Sequence, residues 1–261
     1  SSVTSIGDNA FSGCSSLTQI SIPPSVTSFG TDVFDGIRTL AITGGISKIV
    51  KNMFSGSSSL IQITIESPFI TIEPYSFYDC RSLRQISISS KMITIESFAF
   101  SQCSSLDQVL LKSSSVSIGE GCFSKCTSLE NMAIPNSINS IEDSVFYGCS
   151  SLKQIIIPSS VESIAECAFF ECPSLTQISI PSSVISIGKN AFTRCTSLKQ
   201  IEIPSSITSI NDFVFDGCSS LTNVLIPPSV TSIGEFAFYG CLSLEQITIP
   251  SSVISIGESA F

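Results

Sequence analysis

The sequence predicts a β-rich repeat solenoid. Phenylalanines recur at a fixed interval, a Leu-x-x-Ile-x-Ile pattern recurs in step with them, and turn-forming residues separate the two in every unit. The phenylalanines are Phe11, Phe34, Phe54, Phe77, Phe100, Phe123, Phe146, Phe169, Phe192, Phe215, Phe238 and Phe261; every interval is 23 residues except Phe34 to Phe54, which is 20. One unit cannot bury its own Leu, Ile, Val, Phe and Cys, but stacked units bury them against each other through nearest-neighbour contacts. A single solenoid of about 11 repeats over residues 1–261 is expected, because the period never stops. The chain begins in mid-repeat without an initiator Met and has no polar capping repeat, so it reads as an excerpt of a longer chain.

Each unit reads roughly S-L-x-Q-I-x-I-P-S-S-V-x-S-I-G-E-x-A-F-x-G-C-S. Leu-x-x-Ile-x-Ile is a short strand whose last two apolar residues point inward and whose neighbours point outward. Proline follows it in seven repeats, as at Pro158 and Pro181, and ends the strand because it has no N–H to donate. Val-x-Ser-Ile is a second extended segment. Gly-Glu-x-Ala-Phe-x-Gly is expected to be a helical or 3₁₀ turn. Acids (Asp8, Glu120, Asp143, Glu166, Asp212, Glu235, Glu258) stand at its start, where exposed N–H groups favour negative charge. Gly13, Gly148, Gly217 and Gly240 supply a left-handed stop. The short interval is a three-residue deletion: Gly36 runs straight into Ile37 where other repeats carry Cys-Ser-Ser. Ile37, Leu40 and Ile42 are expected to take the roles of Leu17, Ile20 and Ile22 with the sheet register intact.

Composition narrows the function. Charged residues are only 13% of the chain, and Ser and Thr fill positions where most proteins place Lys and Glu. The net charge of -9 argues against a nucleic-acid partner, which needs clustered Lys and Arg, and against an anionic membrane surface. The longest uncharged run, Asn9 to Thr31, holds Ser, Thr, Gln and two prolines and is no membrane span, so direct insertion by this segment is not expected. Histidine is absent, which removes the usual general base and the commonest metal ligand. Without it only Lys could act as a serine's base, and no Ser-x-x-Lys stands out from the repeat, so no catalytic residues are assigned and no enzyme is expected. Nor is a cofactor or metal. Cys122/Cys126 and Cys167/Cys172 lack the further ligands a metal site needs. Nine of the 11 cysteines (Cys14, Cys80, Cys103, Cys126, Cys149, Cys172, Cys195, Cys218, Cys241) recur in register, with Ser57 replacing one member. Parallel stacking points them the same way, so a buried file of thiols is expected rather than disulfides. No Asn-x-Ser/Thr sequon occurs.

These residues resemble the BspA-like leucine-rich repeats, surface proteins of mucosal bacteria and anaerobic protist parasites. I-P-S-S-V-T-S-I-G-E-x-A-F-x-G-C-x-S-L stands nearly intact at 226–244 and 180–198. The chain departs from the commoner leucine-rich pattern by placing Ser, as at Ser160 and Ser183, where Asn or Cys is usual. The resemblance implies a right-handed solenoid with a parallel concave sheet, at a cell surface or secreted. It implies adhesion to host-cell or extracellular-matrix protein and no catalysis. An intracellular protein-interaction scaffold, hence a cytoplasmic location, is the alternative that free thiols and absent sequons permit.

Partner-binding residues are sought where coils differ, because a framework repeated in every coil carries little specificity. The amide row (Gln19, Thr39, Gln62, Gln85, Gln108, Asn131, Gln154, Gln177, Gln200, Asn223, Gln246) reads first as a bonded ladder that stiffens the sheet. The outward position two residues on varies, and Leu110, Ala133 and Ile156 would form an exposed apolar strip there. With Glu130, Lys153, Lys199 and Glu202 they are the favoured binding residues. The alternative is an aromatic edge beside the repeating Phe: Tyr75, Tyr78, Phe98, Tyr147, Phe170, Phe213, Phe236 and Tyr239. Those rings could equally pack on one another.

Overall fold

The computed structural model describes residues 2–261, in two compact units, the first ending at Leu129 and the second Glu130–Phe261. In the first unit, strands Gln19–Ser21, Thr39–Thr43, Gln62–Glu66, Gln85–Ser89 and Gln108–Lys112 form a parallel sheet in chain order. In the second, Asn131–Ala133, Gln154–Ile156, Gln177–Ser179, Gln200–Glu202 and Asn223–Leu225 do the same. The second extended segments also pair in parallel, for example Phe69–Ile72 with Met92–Ile95 and Ser163–Ile164 with Ser186–Ile187.

Proline sets the strand lengths. Where the strand runs into Ile-Pro, as in Gln154–Ile156, it is 3 residues long. Where Glu, Ser or Lys replaces Pro, as in Gln62–Glu66, Gln85–Ser89 and Gln108–Lys112, it is 5. Each Pro carbonyl instead closes a turn, accepting the N–H three residues on, as in Val161 N–H to Pro158 O at 3.0 Å. The Ser that departs from the commoner repeat pattern bonds to the preceding coil: Ser160 Oγ donates to Ile138 O and Ser183 Oγ to Val161 O, both at 2.7 Å.

The interior is the alternating apolar pattern turned inward. Ten of the repeating phenylalanines, Phe34 to Phe238, are buried. Their rings stack along each unit, 4.9 Å apart at Phe54–Phe77 and 5.4 Å at Phe169–Phe192. Burial of all twelve was expected, but Phe11 is half-buried and Phe261 is 49% exposed, each having a described neighbour coil on one side only.

The expected helical or 3₁₀ turn does not form. No helix occurs among the described residues. All twelve residues two before a repeating Phe have φ between +49° and +60°, and the residues two after it, from Gly13 to Gly240, have φ between +53° and +80°. Two left-handed residues four positions apart in each turn break a right-handed helix. The edge is a run of single turns whose N–H groups alternate in destination. Phe170 N–H closes a local turn to Cys167 O, whereas Cys167, Phe169 and Glu171 N–H donate to Lys189, Ala191 and Thr193 carbonyls of the next coil. A helix would use all of these locally and leave the coils unjoined on this side. The acids act between coils too: Asp8 Oδ1 accepts Thr31 N–H and Asp143 Oδ1 accepts Glu166 N–H, both at 2.8 Å.

The deletion also has a different outcome from the one expected. Ile20 pairs with Ile42, and Gln19 with Ala41, so the register slips by two residues at this one joint. Leu40 and Ile42 then pair normally with Ile63 and Ile65. A slip of two keeps every side chain on its face. Beyond the strand, the chain turns at Gly44 and Gly45, at φ +93° and +89°.

Candidate functional site

Strand alternation sends the amide row and the variable row outward from the first-strand sheet of each unit. Leu110 lies in the first unit, 44% exposed and paired with Ser87. Ala133 and Ile156 lie in the second unit on paired strands, with Ile156 80% exposed. Glu130 and Lys153 form an ion pair at 2.8 Å with both side chains more than half exposed, a geometry that contributes little to stability. Lys199 is exposed, and its carbonyl accepts Thr222 N–H. Glu202 faces outward opposite Leu225.

Glu202 and Leu225 share a shallow depression of about 490 Å³ with Gln177, Ser179, Gln200 and Asn223. Leu225 is 65% exposed and was not singled out from the sequence, because its neighbours in the variable row, Glu202 and Thr248, are polar and no apolar strip forms there. The amides stand in register, Gln154 against Gln177 and Gln200 against Asn223. Among the described residues no hydrogen bond joins one of these side-chain amides to the next, so the row is not the bonded ladder expected. The strand spacing is set by the backbone, and the amides project into solvent with donors and acceptors free.

The aromatic edge is packed on itself. Tyr75 stacks on Phe98 at 5.4 Å, Tyr147 on Phe170 at 5.1 Å and Phe213 on Phe236 at 5.0 Å. Tyr78 meets Tyr75 edge-on and accepts a 2.6 Å hydrogen bond from Gln102 Nε2. Tyr239 meets Phe236 edge-on but is 52% exposed. Tyr75, Phe98, Phe213 and Phe236 all occupy the left-handed backbone position. These rings are spent largely on neighbouring coils.

The thiols are structural. Cys80, Cys103, Cys126, Cys172, Cys195, Cys218 and Cys241 each donate Sγ–H to the carbonyl of the preceding coil's repeating Phe, as in Cys195 to Phe169 O at 3.2 Å. Burial pushes the Cys103, Cys172 and Cys218 thiols well above the ordinary range and the Cys195 thiol up to about 12. A thiol held protonated in this way is neither nucleophile nor metal ligand near neutral pH.

The sequence profile of the BspA type leucine rich repeat region matches in six copies over residues 1–71, 47–172 and 139–261. A leucine-rich repeat protein from Bacteroides ovatus is 28% identical, covering 96% of this chain and 83% of its own, with a TM-score of 0.53. A leucine rich cell surface protein from Faecalibacterium prausnitzii is 26% identical over 83% of this chain and 84% of its own, with a TM-score of 0.46. The pneumococcal vaccine antigen PcpA shares the fold at 19% identity, covering 98% of this chain and 71% of its own, with a TM-score of 0.56. No curated protein matches the chain. With profile copies running from its first residue to its last, the chain belongs to the BspA-type leucine-rich repeat family.

Proposed function

We propose that this chain is a non-catalytic adhesion and recognition module at a cell surface, binding a host-cell or extracellular-matrix protein through the outward face of the second unit's first-strand sheet. The observation that carries this reading is the exposure of Ile156 and Leu225 on a rigid parallel sheet, beside amides with unused hydrogen-bonding groups and the carboxylate of Glu202. Apolar anchors among polar groups suit a protein interface. A standard interface takes roughly 800 Å² per partner, which several adjacent coils supply. The surface location rests on the family. The intracellular scaffold is the second reading, favoured by the protonated, buried thiols, which sit more naturally in a reducing compartment.

The test is binding of the purified chain and two variants to immobilised fibronectin and to host cells. Ile156→Ser with Leu225→Ser should weaken binding about tenfold or more while far-UV circular dichroism stays unchanged. Tyr75→Ser with Tyr78→Ser should bind as the parent does. Loss in the second variant alone would move the interface to the aromatic edge. A parent chain that binds neither target would leave the scaffold reading in its place.

A further inference from the structure

The irregular coil in the first unit builds a groove that the regular coils do not have. Gly36, Arg38, Ser58, Ser59, Ile61, Ser82, Arg84 and Ser105 surround about 470 Å³ of open space. Every other coil of this unit turns its corner with a Cys-Ser-Ser-like segment, as at Ser57-Ser58-Ser59 and Cys103-Ser104-Ser105. Coil two lacks that segment, so Ser58 and Ser59 have no serine corner beside them on that side. The missing residues leave the space, and Arg38 stands at its margin.

Arg38, Ile61 and Arg84 occupy one row on three successive coils, joined by Ile61 N–H to Arg38 O at 2.7 Å and Arg84 N–H to Ile61 O at 2.8 Å. Two strand spacings place the arginine backbones about 10 Å apart across Ile61. Both side chains are exposed. The chain's other two arginines are engaged, Arg81 with Asp79 and Arg194 with Glu171, each at 2.7 Å. Arg38 and Arg84 make none of the ion pairs among the described residues. Asp107 follows Arg84 in the row but neither pairs with it nor lines the groove. In a chain of net charge -9, two guanidinium groups without carboxylate partners face one hydroxyl-lined hollow.

We propose that this groove binds an acidic oligosaccharide, with Arg38 and Arg84 each gripping a carboxylate or sulfate group. A planar guanidinium matches such oxyanions with paired hydrogen bonds. Ser82 Oγ already donates to Ser58 O at 2.7 Å and offers a sugar an acceptor, Ser58 and Ser105 hydroxyls can both donate and accept, and the half-buried Ile61 offers an apolar floor for a ring face. A peptide strand is the poorer fit. The row's backbone is already bonded from coil to coil, which leaves no open edge for strand addition.

The experiment is calorimetric titration of the whole chain with a heparin-derived tetrasaccharide at low salt, beside uncharged chitotetraose and a poly-glutamate peptide. Arg38→Gln and Arg84→Gln should each weaken tetrasaccharide binding about tenfold, and together about a hundredfold. Arg81→Gln and Arg194→Gln should leave it unchanged. Inserting Cys-Ser-Ser between Gly36 and Ile37 should abolish binding with both arginines present, provided circular dichroism shows the parent fold. The proposal is overturned if the double variant or the folded insertion variant binds as the parent does, or if Arg81→Gln weakens binding as much as Arg38→Gln. It is also overturned if chitotetraose binds equally well, or if poly-glutamate binds more tightly, which would make the groove a peptide site.

Discussion

At the scale of single residues, the abundant small polar side chains hold the coils together rather than merely keeping them soluble. Ser160, Ser183, Ser229 and Ser252 each bond a carbonyl of the preceding coil, and the buried thiols do the same one layer deeper. The thiol geometry gives a pH dependence. The Cys195 thiol titrates at about 12 in the folded chain, against about 8.5 when unfolded. Its contribution to stability is complete below pH ~8.5 and is lost as pH rises toward the folded value, where the unfolded state alone has released its proton. Urea titrations should therefore show stability falling between pH 8.5 and 10, with a shallower fall in Cys195→Ala. An equal slope in the variant would place the alkaline sensitivity elsewhere. Thiol labelling without denaturant should reach exposed Cys14 first and half-buried Cys167 and Cys241 next, with the other eight reacting only after unfolding. Ser144 holds φ +56°, so Ser144→Gly should raise stability by up to about 1 kcal/mol in the same titration.

At the scale of elements, much was legible. The position of Pro told where strands stop, and the alternation told which side chains enter the core. The turn was misread for a physical reason. Gly-Glu-x-Ala-Phe-x-Gly has helical local preferences, but coils in a stack must also bond to each other along that edge, and left-handed residues free alternate N–H groups to do so. The register slip was hidden in the same way. Period-two alternation sets the face of Leu40 and Ile42 but is blind to a shift of two. Gly44 shows what the turn beyond these residues requires: a Cβ there would lie 2.8 Å from Ile22 O and 2.9 Å from Ile22 N, at φ +93°. Gly44→Ala should cost more than about 1 kcal/mol, read as a lower urea midpoint, whereas Gly13→Ala meets no neighbouring atom and should cost less despite its own positive φ.

At the scale of the molecule, the phenylalanine file is the continuous feature of each unit. Phe192 is fully buried and stacks on Phe169 at 5.4 Å and Phe215 at 5.7 Å. Removing it leaves a cavity flanked by coils on both sides that cannot collapse without breaking their own strand pairing. Phe192→Ala should destabilise by about 3–5 kcal/mol and Phe192→Leu by clearly less, measured by urea unfolding. A loss below about 1 kcal/mol in Phe192→Ala would mean that the file is filler rather than frame. The Lys189–Asp212 ion pair lies at the surface, with the Lys189 side chain 58% and the Asp212 side chain 28% exposed, and should contribute far less, so Lys189→Gln should fall within about 0.5 kcal/mol of the parent.

The sequence by itself determined the repeat, its family, the parallel stacking of one strand per coil and the identity of nearly every buried side chain. Those follow from periodicity, which a linear pattern displays in full. Only the tertiary structure decided how the backbone is satisfied on the phenylalanine edge and which register the short coil takes. It also decided which outward side chains stay unpartnered. Glu130 and Lys153 satisfy each other and the aromatics stack in pairs, while the amide row, Glu202, Leu225, Arg38 and Arg84 face solvent with binding groups to spare. The reason is that partnership across coils depends on distances between residues about 23 positions apart, and a residue's own neighbours in the chain carry no record of them.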